Sequence, residues 1–147
     1  MDELAAPLTQ IMKSRAVEQK TRYTNRKENG LCIRCGKPIV QGLSQCDPCR
    51  TVRNKYHIKL NQQLKQDVFR AYGGEKCSCC GETEISFLAI DHINGGGEQQ
   101  RKKIGGGTAF YRWLKRNKYP VGFQVLCHNC NHGKHINGGI CPHKRPR

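Results

Sequence analysis

Ten cysteines in 147 residues, eight of them in four Cys-x-x-Cys pairs, restrict this chain more than any other feature. Scattered, evenly numbered cysteines suggest a disulfide scaffold of an oxidising compartment. Paired cysteines suit a metal, because two thiolates three residues apart grip one tetrahedral ion. Four soft sulfurs in a reducing cell select Zn²⁺. A chain of this length with 36% hydrophobic residues has material for one modest core or two very small ones, so burial alone is a weak source of stability.

The first quartet is Cys32, Cys35, Cys46 and Cys49, with ten residues between its pairs. Pro38 and Gly42 in that interval predict a hairpin-like return that brings the pairs together, and the surroundings are merely basic. A structural anchor is expected there, with a redox dithiol as the alternative. The second quartet is Cys77, Cys80, Cys127 and Cys130, with 46 residues between its pairs. An ion held this way fixes the ends of whatever lies between in one register. Cys79 competes with Cys77 for the first pair, but adjacent Cys79 and Cys80 do not reach one ion as naturally as an i, i+3 knuckle. Cys79 and Cys141 are then left over as thiols.

Between these landmarks the chain reads as five segments. Residues 1–30 form a polar, basic arm or helix ending at Gly30; residues 31–50 form the four-cysteine module; residues 51–73 form a linking helix. In that helix Val52, Tyr56, Leu60, Leu64, Val68 and Tyr72 recur every four residues, supported by Phe69, and Gly73-Gly74 terminates it. Residues 74–138 contain a strand at Phe87-Leu88-Ala89-Ile90 that ends on Asp91-His92, and a helix from Thr108 to Lys118, with Thr108 as its cap. In that helix Phe110, Trp113 and Leu114 share a face, as core more than as base-stacking aromatics. A second strand follows at Phe123-Gln124-Val125-Leu126, then a helix from Cys127 to about Ile136. Two glycine triplets flank residues 98–103 but lack the Gly-Lys-Ser/Thr ending of a phosphate-binding loop. Residues 139–147 form a basic, mobile tail. The whole is expected to be a small, zinc-stabilised α+β protein.

Formal net charge is +15, and eight bound thiolates with two Zn²⁺ would leave about +11. Such a balance suits a polyanion partner, nucleic acid first, against the alternative of a merely basic surface. Arg101, Lys102, Lys103, Arg112, Lys115 and Arg116 are the candidates for backbone phosphate contacts, with a solvated surface as the alternative. His128, His132 and His135 lie in or near the last helix; His135 is the first choice among them for a phosphate contact, with solvent-exposed or packing roles as the alternative. The start of the chain has no apolar run behind a basic segment and nothing reaches bilayer length. A soluble, cytoplasmic protein with no membrane partner is therefore expected.

An imidazole beside a carboxylate suits phosphodiester hydrolysis, since the carboxylate can hold a hard cation and the imidazole can accept a proton from water. Asp91-His92 lies between the two pairs of the second quartet. The run FLAIDHI, followed after an insertion by FQVLCHNCNHGK, resembles the HNH (ββα-metal, or His-Me finger) nucleases, and most closely the phage recombination endonuclease VII family. The likeness covers roughly residues 75–136. It implies a ββα-metal domain over that span; the zinc-ribbon-like module and long basic helix expected in front of it, with the first of the two structural Zn²⁺, are a departure from the family's pattern. It also implies Asp91 and Asn131 as ligands of a catalytic Mg²⁺ or Mn²⁺, His92 as general base, and DNA as substrate, branched or single-stranded forms included. Cleavage would leave a 5′-phosphate, in a phage-infected or mobile-element-bearing host. Gly122 and Asn131 stand where ordinary HNH members carry Asn and His, which places the likeness on the endonuclease VII side. A non-catalytic zinc-finger protein that binds nucleic acid is the competing expectation.

Overall fold

The computed structural model describes residues 8–144. Contacts divide the chain into two compact units, Met1–His57 and Ile58–Arg147.

In the first unit, α1 (Leu8–Glu28) is the expected basic helix, and its described side chains are almost all in solvent. It ends where Gly30 takes φ 65° and Leu31 N–H donates to the Arg26 carbonyl at 2.8 Å. The first Cys-x-x-Cys is a tight turn. Cys32 N–H donates to Lys37 O at 2.7 Å and Gly36 N–H to Cys32 O at 2.8 Å, while an isolated bridge pairs Leu31 with Pro38. Arg26 of α1 holds this turn by donating to the carbonyls of Ile33 and Arg34 at 3.1 and 3.0 Å. The second Cys-x-x-Cys straddles the start of α2 (Asp47–Ala71), so that the Cys46 carbonyl accepts from Arg50 N–H at 2.9 Å.

Helix α2 runs through both units. The four-residue stripe marks a buried face only in its second half: Val68 and Phe69 are fully buried, with Leu64 and Tyr72 packed beside them. Val52 and Tyr56 are 52% and 60% exposed. Periodicity therefore located the helix correctly but overstated the length of its packed face. Gly73 and Gly74, at φ 100° and 103°, stop it, with Gly74 N–H returning to Phe69 O at 2.9 Å.

In the second unit a 3₁₀ turn (Ile85–Phe87) leads into β1 (Leu88–His92), which pairs antiparallel with β2 (Phe123–Cys127) in the register Leu88 to Cys127 through His92 to Phe123. The strand thus begins one residue later than expected, because Phe87 belongs to the turn and is exposed. Helix α5 (His128–Ile136) follows β2 directly and packs on both strands. Between the strands lie α3 (Gly97–Ile104) and α4 (Thr108–Arg116). The sequence reading has no helix at α3. Its helix-forming residues, with Glu98 in the first turn and Arg101, Lys102 and Lys103 in the last, complement the helix dipole, and Glu98 pairs with Lys102 at 2.9 Å. Thr108 is the first residue of α4 and not its cap. Gly107 holds the cap position without a side-chain hydrogen bond, and the helix ends at Arg116, before Lys118 and Tyr119 adopt φ 55°.

The core joins Val68 and Phe69 of α2, Leu88 and Ile90 of β1, Phe110 and Leu114 of α4, and Val125 and Leu126 of β2 with Cys77, Cys127, Cys130 and Cys141. Full burial of side chains such as Phe69 and Leu114 contributes about 1.5–3 kcal/mol each. The inclusion of Cys141 corrects the expectation of a mobile tail: Cys141 is buried, and the turn Pro142–Lys144 packs on α5. Residues 145–147 of that tail lie outside the described residues. Among the described residues no helix is long and apolar enough to cross a membrane.

Candidate metal centres and the Asp91–His92 site

Both expected quartets form. The sulfurs of Cys32, Cys35, Cys46 and Cys49 lie within 4.8 Å of one another, as do those of Cys77, Cys80, Cys127 and Cys130. Cys35 to Cys46 and Cys80 to Cys127 are both 3.6 Å. Sulfurs on the edge of a ZnS₄ tetrahedron stand about 3.7 Å apart, while a disulfide bond is about 2.05 Å. Both clusters therefore have the donor chemistry and spacing for a metal ion such as zinc. In the second, a turn closed by Cys77 N–H to Glu82 O at 2.8 Å meets the start of α5. There Cys127 is the N-cap and its Sγ accepts from Cys130 N–H at 3.4 Å. Cys79 and Cys141 are not left over: their sulfurs gather with Cys130 Sγ and a ring nitrogen of His143, again all within 4.8 Å.

The end of β1 carries the Asp-His pair, and strand alternation sends the two side chains to opposite sides. Asp91 is 8% exposed. Its Oδ2 accepts from Lys134 Nζ at 2.6 Å and from Nε2 of its cross-strand partner Gln124 at 2.8 Å. Ser78, inside the second knuckle, donates to Gln124 Oε1 at 3.3 Å, so a short polar chain links the second quartet to Asp91. Lys134 also donates to the carbonyls of His92 and Ile93 at 2.7 and 2.9 Å. Three oxygens thus converge on one cation position, and the ammonium of Lys134 fills it. Asn131 lies three residues before Lys134 in α5, the spacing of neighbours on a helix surface, and its side chain makes none of the described contacts to Asp91.

His92 turns toward α3 and α4. Its ring stacks on Phe110 with centroids 5.4 Å apart and planes 10° off parallel, and meets the edge of Phe123 at 4.8 Å. Nε2 contacts Gln100 Oε1 of α3. That contact fixes the ring's orientation and leaves Nδ1 on its opposite edge. A Cβ on Gly97 would stand 3.0 Å from Nδ1, so a side chain at that position would crowd this edge of the ring.

The cationic candidates fare unevenly. Arg101, Lys102 and Lys103 are exposed on the last turn of α3, directly after Gln100. Arg112, Lys115 and Arg116 are exposed on α4, but Lys115 is held by Asp67 of α2 at 2.7 Å and Arg112 reaches Asn61 at 3.5 Å. His128, His132 and His135 are exposed on α5. Sequence reasoning missed Lys134, Gln124, Gln100 and His143. Only Lys134 left a trace, at the i+3 position from Asn131, and the others depend on pairings no local pattern encodes. No family model, curated protein or solved structure matches this chain.

Proposed function

We propose that this protein is a metal-dependent endonuclease that hydrolyses DNA phosphodiester bonds, with Asp91, His92 and Asn131 at its active site and two structural zinc ions in its cysteine quartets. The observation that carries this reading is the end of β1. A buried carboxylate there pairs with Lys134 of α5, three residues after Asn131, while the neighbouring imidazole is held through Nε2 by Gln100 and has Nδ1 beside Gly97. Asp91 and the Asn131 amide oxygen supply hard oxygen donors, few enough to suit Mg²⁺ or Mn²⁺, ions that complete their shells with water and phosphate. The carbonyl oxygens that receive Lys134 Nζ beside Asp91 support the reading of this position as one suited to positive charge. A bound divalent ion would neutralise charge on the scissile phosphate and on the departing 3′ oxygen. His92 Nδ1 takes the proton of the attacking water as that water's oxygen bonds to phosphorus. The bond from phosphorus to the 3′ oxygen breaks, the 3′ oxygen is protonated from solvent, and a 5′-phosphate and a 3′-hydroxyl result. Gln100 keeps the imidazole in the required orientation, and the exposed Arg101 and Lys103 next to it hold the DNA backbone.

A second reading has a specific observation behind it. Lys134 already neutralises Asp91, as a purely structural pair would, and in that case the protein binds nucleic acid without cutting it. Zinc-replete protein incubated with supercoiled plasmid in Mg²⁺ or Mn²⁺, beside His92→Ala, separates the two. The nuclease reading expects metal-dependent conversion to open-circle or linear DNA, lost by at least a hundredfold in the variant while plasmid retardation on gels persists. Retardation without cleavage in either protein would establish the binding-only reading.

A further inference from the structure

Three donors near the second quartet have no part in the reading above: Cys79 in the knuckle, and Cys141 and His143 beyond α5. After α5 the chain reverses, with Gly138 and Gly139 at φ 65° and 93° and Gly139 N–H bonded to Lys134 O at 2.9 Å. The reversal brings Cys141 back into the core, and Pro142 closes so tightly on α5 that a Cβ on Gly133 would stand 3.0 Å from its Cδ. His143 Nδ1 then lies 3.4 Å from Cys130 Sγ and 3.6 Å from Cys141 Sγ. A tetrahedral zinc with sulfur and imidazole ligands puts such atoms about 3.6 Å apart. With Cys79 Sγ the group has four donors within 4.8 Å of one another, three sulfurs and one ring nitrogen, a common zinc ligand set.

Cys130 belongs to this group and to the second quartet, and its side chain is wholly buried. A thiolate keeps unshared electron pairs after making one metal bond, so one sulfur can serve two ions. We propose that Cys79, Cys141 and His143, with Cys130 as a shared thiolate, hold a further Zn²⁺ beside the one in the Cys77, Cys80, Cys127 and Cys130 site, making a binuclear zinc centre. Each cysteine loses its thiol proton to solvent on binding, and His143 binds as neutral imidazole through Nδ1. All ten cysteines are then metal ligands, and the segment after α5 becomes part of the metal-held core. The proposal is independent of the nuclease reading, because it concerns ions that hold structure.

Native mass spectrometry and elemental analysis of the full chain, purified under reducing conditions and titrated with Zn²⁺, test it. Three ions per chain are expected, falling to two in the Cys141→Ser/His143→Ala variant. If that variant does not fold, cadmium-substituted wild-type protein still decides. Three cadmium resonances, two of them coupled through the shared sulfur, support the centre. Two ions per chain in the wild type at zinc saturation would overturn it, as would three resonances without that coupling.

Discussion

The two cysteine quartets are built alike and support very different amounts of protein. In each, a Cys-x-x-Cys-Gly turn with its glycine near φ 80° (Gly36 and Gly81) meets a second pair that straddles the start of a helix, α2 or α5. In the first unit ten residues join the two halves, and among the described residues the only fully buried apolar side chain is Cys32 itself. In the second, the 46 intervening residues supply both strands and two helices, and Cys77, Cys127 and Cys130 sit within an apolar core while Cys80 is exposed. The same frame thus occurs once almost without an apolar core and once as the clasp of a hydrophobic domain. The length of the insertion decides which, because only the longer one carries enough apolar surface to bury.

The largest expected effect breaks this comparison directly. Structural zinc binding in small modules is worth about 10–16 kcal/mol and is inseparable from their folding. Chelation of the reduced protein should therefore bring amides of residues 31–46 to unprotected hydrogen-exchange rates. Amides of Leu88, Ile90 and Val125, in the core of the second unit, should retain measurable protection. Equal loss of protection in both units would show that the apolar core of the second does not stand without its metal.

A smaller effect is expected at the polar chain tied to the second quartet, which has no counterpart at the first among the described residues. Lys134→Met removes the cation from Asp91 while leaving the carboxylate buried; both side chains are 14% or less exposed, so screening by water is slight. Loss of one partner of such a pair costs about 3 kcal/mol. Urea unfolding in excess zinc should show that loss with the zinc content unchanged. On the nuclease reading, millimolar Mg²⁺ or Mn²⁺ then restores part of the stability through Asp91. A variant as stable as the wild type would mean that the pair contributes nothing to the unit, and a loss that neither ion restores would favour the binding-only reading.

What was legible in the sequence follows the same division. The spacings of the cysteines located both quartets, short apolar runs located β1 and β2 nearly to the residue, and the last helix, expected from Cys127 to about Ile136, runs from His128 to Ile136. Such signals are local. The third donor group was not legible, because Cys79 and Cys141 stand 62 residues apart in sequence and meet only after a glycine-rich reversal that reads as a tail. The orientation of His92 was equally hidden: it depends on Gln100 in a helix whose flanking glycine triplets read as loop. Exposure of Val52 and Tyr56 within a faultless four-residue repeat has a related cause, since periodicity reports which residues share a face and not whether anything covers it.

The smallest effect concerns surface charge. In the first unit the described ion pairs, Arg22 with Glu18 and Arg50 with Asp47, lie within single helices, whereas Lys115 and Asp67 join α4 to α2 in the second. Hydrogen bonds from Lys115 first and Gln63 next hold the Asp67 carboxyl below its ordinary value, and the same pairing raises Lys115. A depressed carboxyl stabilises the fold above the unfolded-state value, about 3.9, and that contribution disappears as pH falls through the lower folded value. The raised lysine contributes below its unfolded value, about 10.4, and ceases to do so only as pH rises through a still higher one. Between roughly pH 5 and 9 the pair is therefore fully formed, with the small worth of an exposed tie. Lys115→Met should lower the melting temperature of the second unit slightly at pH 7, and the gap to wild type should close as both are taken toward pH 3. A gap that stays constant over that range would mean that Lys115 acts through packing of its stem against α2 and not through Asp67.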